Sequence, residues 1–316
     1  MELRVERPCP YPTDDPILQQ IGNTPLVSYG GEDGPNLFCK LETENPTRSM
    51  KDRIAWGILS EAFDAGEYDT IVEGSSGNTG GSVAMVANRL GADCHITTPA
   101  STSVQKKGYM RAYGAVVHEC PGVEEGDPEH YVEVAIRLAE EHDALFVDQY
   151  SNLANPEVHY NWTGPELWEQ VGPDVTHFVC PMGTGGTISG CARAMKERAA
   201  EAGTDLTVVG VDAEDSNISN AFYGNPTGPY DTEVEGLGKG HELPTMWFDY
   251  VDEVRDVADD VAFDQARTAA RDHGLLVGPS SGATLSVGLD ITEENPDANV
   301  VTMVCDGGEQ YFDTLW

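Results

Sequence analysis

The sequence predicts an α/β protein made of two units, each a mainly parallel sheet covered by helices, with a cleft between them. Three observations carry this. Short β-rich runs alternate with stretches of helical spacing, the rhythm of parallel strands joined by helical crossovers. Two glycine-rich turns, at residues 73–82 and 180–190, each follow an apolar strand and open a helix. At 316 residues and 40% hydrophobic, the chain can bury one large core or two modest ones, and no apolar run approaches the roughly 20 residues of a membrane span.

Taken in chain order, Asn45-Pro46 makes a turn, Ser49 is placed to cap, and Lys51 begins a helix running through Ile54, Ile58 and Leu59. The β-branched run 70–73 is a strand, followed by helical spacing over 83–90. Strands follow at 95–98 and 115–118, a helix at 131–141 and a strand at 144–148. The second series has strands at 177–180, 208–211 and 300–305, with helices at 188–198 and 264–272. Residues 216–245, rich in Gly, Pro and Asn, form an irregular excursion of the kind that often carries function.

Charge excludes whole classes of partner. Eighteen basic against 54 acidic residues give a net charge of −36, spread along the chain. Nucleic acid and anionic membranes need a cationic patch and are therefore not expected partners. Such a lysine-poor, acidic surface suits a cytosol at molar salt, as in an extreme halophile, where a Debye length of about 3 Å removes self-repulsion. The opening MELRVERPCP has charges where a signal peptide needs apolar residues, so the cytoplasm is the expected location. Seven scattered cysteines without C-x-x-C spacing suit reduced buried thiols, and no metal site is expected.

The turn EGSSGNTGGS (73–82) carries no charge after Glu73 in a chain crowded with acids. It donates hydrogen bonds and opens a helix, so it suits a carboxylate or phosphate, although an ordinary strand-to-helix turn uses the same residues. CPMGTGGTISG (180–190) is a second candidate anion cradle, with Thr184 and Thr187 adding hydroxyls. It fails the dinucleotide pattern, because the sixth position from Gly183 is Ile188, and it lacks the Lys-Ser/Thr pair of a P-loop. The phosphate it suits belongs to neither NAD nor ATP. Lys51 in NPTRSMKDRIA, taken alone, is accounted for by a surface pair with Asp52. At a helix start ahead of two anion-binding turns, it also suits a Schiff base with a phosphate-bearing aldehyde.

The blocks IGNTPLV (21–27), NPTRSMKDR (45–53), EGSSGNTG (73–80), QYSNLANP (149–156), TGPEL (163–167), GTGGT (183–187), VEGLG (234–238) and GPSSGA (278–283) follow in order. Together they resemble the cysteine synthase and cystathionine β-synthase family of fold-type II pyridoxal-phosphate enzymes, closest in look to cysteine synthase, over nearly the whole chain. The resemblance implies pyridoxal 5'-phosphate in a cleft between a smaller mobile domain, 45–157, and a larger one, 1–44 plus 158–316. It implies that Lys51 carries the cofactor, that Asn78 meets the pyridoxal 3'-oxygen, and that Ser280 faces the pyridine nitrogen. Gly183, Thr184, Gly185, Gly186 and Thr187 would hold the phosphate, and Ser75, Ser76, Thr79 and Gln149 the substrate carboxylate. The implied reaction joins an activated serine, O-acetylserine or O-phosphoserine, to sulfide through an aminoacrylate intermediate, giving L-cysteine in a homodimer. Two alternatives stand beside it: condensation with homocysteine, and a silent amino-acid-binding regulator. Departures include Ser75 where threonine is usual, Arg48 for a common glycine, Pro279 and Gln310. Glu235, where sulfide-using members commonly have glutamine, puts the acceptor in question.

Overall fold

The computed structural model describes residues 2–3, 9–31, 34–64, 66, 68–228 and 230–316; most of the opening MELRVERPCP segment lies outside them. Strands β1 (Glu2–Leu3), β2 (Leu26–Ser28) and β3 (Leu37–Leu41) lead to helix α1 (Lys51–Asp64). A β/α run follows: β4 (Thr70–Gly74), α2 (Asn78–Leu90), β5 (Asp93–Pro99), α3 (Val104–Ala112), β6 (Val116–Cys120), α4 (Tyr131–His142) and β7 (Leu145–Phe146). Short helices α5 (Ala154–Val158) and α6 (Gly164–Val171) precede β8 (His177–Pro181), α7 (Gly186–Ala202), β9 (Thr207–Ala213) and α8 (Ile218–Phe222). The chain continues with β10 (Glu253–Val257), α9 (Asp259–His273), α10 (Pro279–Glu294), β11 (Val300–Val304) and α11 (Phe312–Leu315).

Two sheets form, as the alternation predicts. The larger has strand order β1-β2-β3-β11-β8-β9-β10, antiparallel only in the β1/β2 and β2/β3 pairs. The smaller, β6-β5-β4-β7, is parallel throughout. Every residue of β11 is buried, as a strand covered on both faces must be. Its residues alternate between two apolar clusters, Val300 and Val304 in one, Val301 and Met303 in the other. A third cluster joins α1 and α2 to the smaller sheet through Ile54, Leu59, Ile71, Val83 and Ile96.

The strand expected at 144–148 shortens to β7. Val147 still bonds Val72 through its amide at 3.1 Å, but Asp148 turns to φ 50°, and its amide bonds the Glu73 carboxylate instead. The helices begin earlier than their apolar spacing suggests, α2 at Asn78 and α9 at Asp259, because small or acidic first turns carry no apolar signal. The 216–245 excursion holds only α8 as regular structure among its described residues.

A charged cluster fastens α1 to the larger sheet. The Arg53 guanidinium donates to Glu42 at 2.7 Å and to Glu166 at 2.8 and 2.9 Å, while packing 5.1 Å from the Trp162 ring. Lys40 pairs with Glu166 and also donates to the Thr24 carbonyl at 2.7 Å. All four ions are fully buried, so each needs these partners to offset its lost hydration. Lys51, two residues before Arg53, is thereby fixed in register.

Candidate active site

A cavity of about 290 Å³ opens between the carboxyl ends of the two sets of strands. Lys51, Ser75, Ser76, Asn78, Thr79, Gln149, Gly183, Thr184 and Ser280 all line it, so the structure brings most of the sequence-predicted residues together. Gly186 and Thr187 begin the first turn of α7, with Gly185 as its N-cap.

Lys51 begins α1 with its amide on Ser49 Oγ at 3.2 Å, and the preceding Met50 amide bonds the Cys305 carbonyl at 2.9 Å. The helix start is thus tied to the end of β11. Burial pushes the Lys51 ammonium below the usual lysine range, opposed by the nearby Cys305 and Asp306. No pairing with Asp52 forms; that carboxylate accepts from the Thr47 amide at 2.8 Å.

The turn after β4 is organised by its own hydroxyls. Ser75 Oγ accepts from the Gly77 and Gly80 amides at 3.2 and 3.0 Å. Thr79 donates to Gln149 Oε1 at 2.6 Å, and Gln149 reaches back to Glu73. Ser75, Thr79 and Gln149 are buried, whereas Ser76 is half-buried on the cavity wall.

On the opposite wall, α7 starts on a glycine N-cap with no acidic residue in its first turn; the Gly186 amide reaches Thr184 Oγ1 at 3.5 Å, and the positive end of the helix favours an anion. The backbone approach demands glycine. A methyl carbon at Gly183 would stand 2.3 Å from the Gly236 carbonyl, and one at Gly186 would stand 2.0 Å from Asn155 Oδ1. Gly185 also holds φ at 81°. Asn155 donates to its neighbours at Gln149 and Thr184, yet its Oδ1 is buried without a partner.

A family model described as "Pyridoxal-phosphate dependent enzyme" matches residues 17–306. The chain belongs to this family. Cysteine synthase B of Escherichia coli (strain K12) is 36% identical over 308 residues, covering 94% of each chain. Among solved structures, O-ureido-L-serine synthase is similar with a TM-score of 0.87 at 28% identity, over 96% of this chain and 95% of that one. An O-acetylserine-dependent cystathionine β-synthase from Helicobacter pylori gives 0.82 at 31% identity, over 94% and 97%.

The cofactor of this pyridoxal-phosphate enzyme is therefore pyridoxal 5'-phosphate, and the site fits it. The glycine cradle at 183–187 suits the phosphate, a lysine suits the aldehyde, and the turn at 75–79 adds neutral hydroxyl and amide groups to the cavity wall. Asn78 Oδ1, in the same wall, is a second buried atom without a partner. Thr187 Oγ1 lies 3.1 Å from His159 Nε2, and burial with the nearby Lys51 pushes that imidazole down to about 3, keeping it neutral.

Sequence reasoning missed several lining residues. Tyr150, Tyr230, Lys239, Asp306 and Tyr311 all reach the cavity. Asp306 alone had a legible signal, an acid directly past the end of a central parallel strand, where open α/β sheets bind ligands. Glu235, singled out as a departure, also lines the cavity and pairs with Lys106 from α3.

Proposed function

We propose that the protein is a cysteine synthase, replacing the β-substituent of an activated serine, O-acetylserine or O-phosphoserine, with sulfide to give L-cysteine. The observation that carries this is one cavity holding a half-buried lysine, a neutral hydroxyl turn and part of a glycine phosphate cradle. Bound there, the cofactor supplies the electron sink that lets an amino acid lose its α-proton and β-substituent. Lys51 Nζ would hold the cofactor's aldehyde and is the base placed to take the substrate's α-proton. Its lowered pKa leaves more free amine near neutral pH, which serves both roles. Ser75, Ser76, Thr79 and Gln149 bind the substrate carboxylate. The 74–82 turn that holds the first three is uncharged because an acid there would repel that anion. Gly183, Thr184, Gly185, Gly186 and Thr187 hold the phosphate, Asn78 donates to the 3'-oxygen, and Ser280 faces the pyridine nitrogen. A hydroxyl there would not force protonation of that nitrogen as an aspartate would, so the ring would supply a weaker electron sink. The 45–157 unit closes over the bound amino acid and excludes water.

The test is an assay of the pure holoenzyme at high salt, with O-acetylserine and O-phosphoserine against sulfide and homocysteine. Cysteine from an activated serine and sulfide is expected. Turnover confined to homocysteine would overturn the assignment in favour of cystathionine synthesis. Borohydride reduction followed by peptide mapping should label Lys51, and label on Lys40 or Lys239 would displace the site.

A further inference from the structure

Asp306 directly follows β11 and is 2% exposed. Its backbone forms an antiparallel bridge with Ser49, two residues before Lys51, and its side chain lines the cavity beside Asn78. Asp306 Oδ2 accepts from Asn78 Nδ2 at 2.7 Å and from the Tyr311 hydroxyl at 2.5 Å. The Tyr311 ring is covered by the Lys106 ammonium, 4.5 Å from its centroid, and Lys106 pairs in turn with Glu235.

This arrangement settles which way the Asn78 amide faces. Burial pushes the Asp306 carboxyl up and the hydrogen bonds from Tyr311 and Asn78 oppose this; with Oδ2 accepting from both, the carboxyl holds the nitrogen end of the amide, whose nitrogen carries a second proton. The oxygen end, Asn78 Oδ1, is buried without a partner, as is the second carboxylate oxygen, Asp306 Oδ1. An acceptor reaching Asn78 from the cavity therefore meets a donor of fixed orientation. The anchors come from separate elements: Asn78 and Lys106 from α2 and α3, Asp306 and Tyr311 from the segment after β11, and Glu235 from the 216–245 excursion.

We propose that Asp306 is a positioning residue that fixes the Asn78 amide with its N–H toward the cofactor's ring oxygen, Tyr311 and Lys106 keeping the carboxylate in place. The proposal rests on the reading that Asn78 faces that oxygen. The α2 and α3 helices must sit on the larger sheet's C-terminal segment for the network to close, so the donor is aligned when the cleft is assembled. Asparagine at 306 would present both donor and acceptor groups, and the Asn78 amide could then flip.

Asp306→Asn, Tyr311→Phe and Asn78→Ala, each in the full-length holoenzyme, test this. Two readouts lie outside turnover: the balance of the bound cofactor's long- and short-wavelength absorption bands, which reports protonation at the ring oxygen, and cofactor affinity from titration of the apoprotein. Asp306→Asn should shift the bands, weaken cofactor binding and lower kcat by about tenfold, the scale of one charge-assisted hydrogen bond, with KM for the donor nearly unchanged. Tyr311→Phe should shift the bands the same way by less. If Asn78→Ala shifts the bands and Asp306→Asn does not, the role of Asp306 is overturned while the reading of Asn78 stands. If neither does, that reading fails as well. Should Asp306→Asn not fold, a Tyr311→Phe protein with parental bands and affinity overturns the proposal.

Discussion

Glu73 shows how a single residue next to the site shapes the protein's response to pH. It is 1% exposed at the end of β4, where burial and the neighbouring Asp148 charge push its carboxyl up to about 8. The fold therefore holds a proton there that the unfolded chain releases near the ordinary carboxylate value of about 4.3. Between those limits the native state binds more protons than the unfolded one, so this group's contribution to stability is present below the window and lost as pH rises through it. Asp52 and Asp212, both pushed up to about 6, act in the same direction over a narrower range. We expect the thermal midpoint to fall from pH 5 to pH 8. Glu73→Gln, measured by calorimetry, should change little at pH 5 and raise the midpoint at pH 8 by roughly 2–4 °C per kcal/mol recovered. Equal midpoints for parent and variant at both pH values would contradict a buried, protonated Glu73.

Two elements position the chemistry, and each can be disturbed separately. At the start of α7 the backbone must approach its neighbours closely. Gly186→Ala would drive a methyl group into Asn155, and overpacking of this kind costs about 1–3 kcal/mol. Cofactor affinity, read by fluorescence titration of the apoprotein, should drop by about tenfold or more. Gly108→Ala is the contrast: nothing stands within 4 Å of its Cβ position in α3, so the helix should gain up to about 1 kcal/mol with affinity unchanged. At the start of α1, Arg53→Met would leave Glu42 and Glu166 buried without their shared cation, a loss of roughly 3–5 kcal/mol in denaturant unfolding. The glycine turns and Lys51 were legible in the sequence because tight turns and helix starts demand particular residue types over a few positions. The Arg53 cluster was not, because Glu42 and Glu166 come together only through the fold. Helix α10 escaped for another reason: it is buried on most sides and shows no polar face to set a period.

At the scale of the whole molecule, the β/α alternation was enough to read two parallel sheets, since period and turn chemistry are local properties. Strand order was not legible, because β11 enters the sheet between β3 and β8 from the far end of the chain. The net charge of −36 has consequences for the assembled protein that are independent of strand order. Lys40, Lys106, Lys107 and Lys196 each sit beside a carboxylate, yet acidic residues outnumber basic ones 54 to 18, so the surface keeps a large excess of negative charge. Self-repulsion therefore opposes the compact state at low ionic strength, and a homodimer, inferred from the family resemblance, would bring two such surfaces together. Molar cations screen this within about 3 Å, and salts excluded from apolar surface strengthen burial. Activity and thermal midpoint should both rise steeply from about 0.1 M toward molar KCl. On the proposed reading of the 74–82 turn as the carboxylate site, chloride would compete with the substrate there and raise KM even as the fold gains stability. Potassium glutamate at equal ionic strength separates the effects by replacing chloride with a bulkier anion: the midpoint should respond similarly in both salts, whereas KM should rise more in chloride. Equal stability and activity in dilute buffer would refute the expected dependence on salt and leave the cofactor chemistry intact.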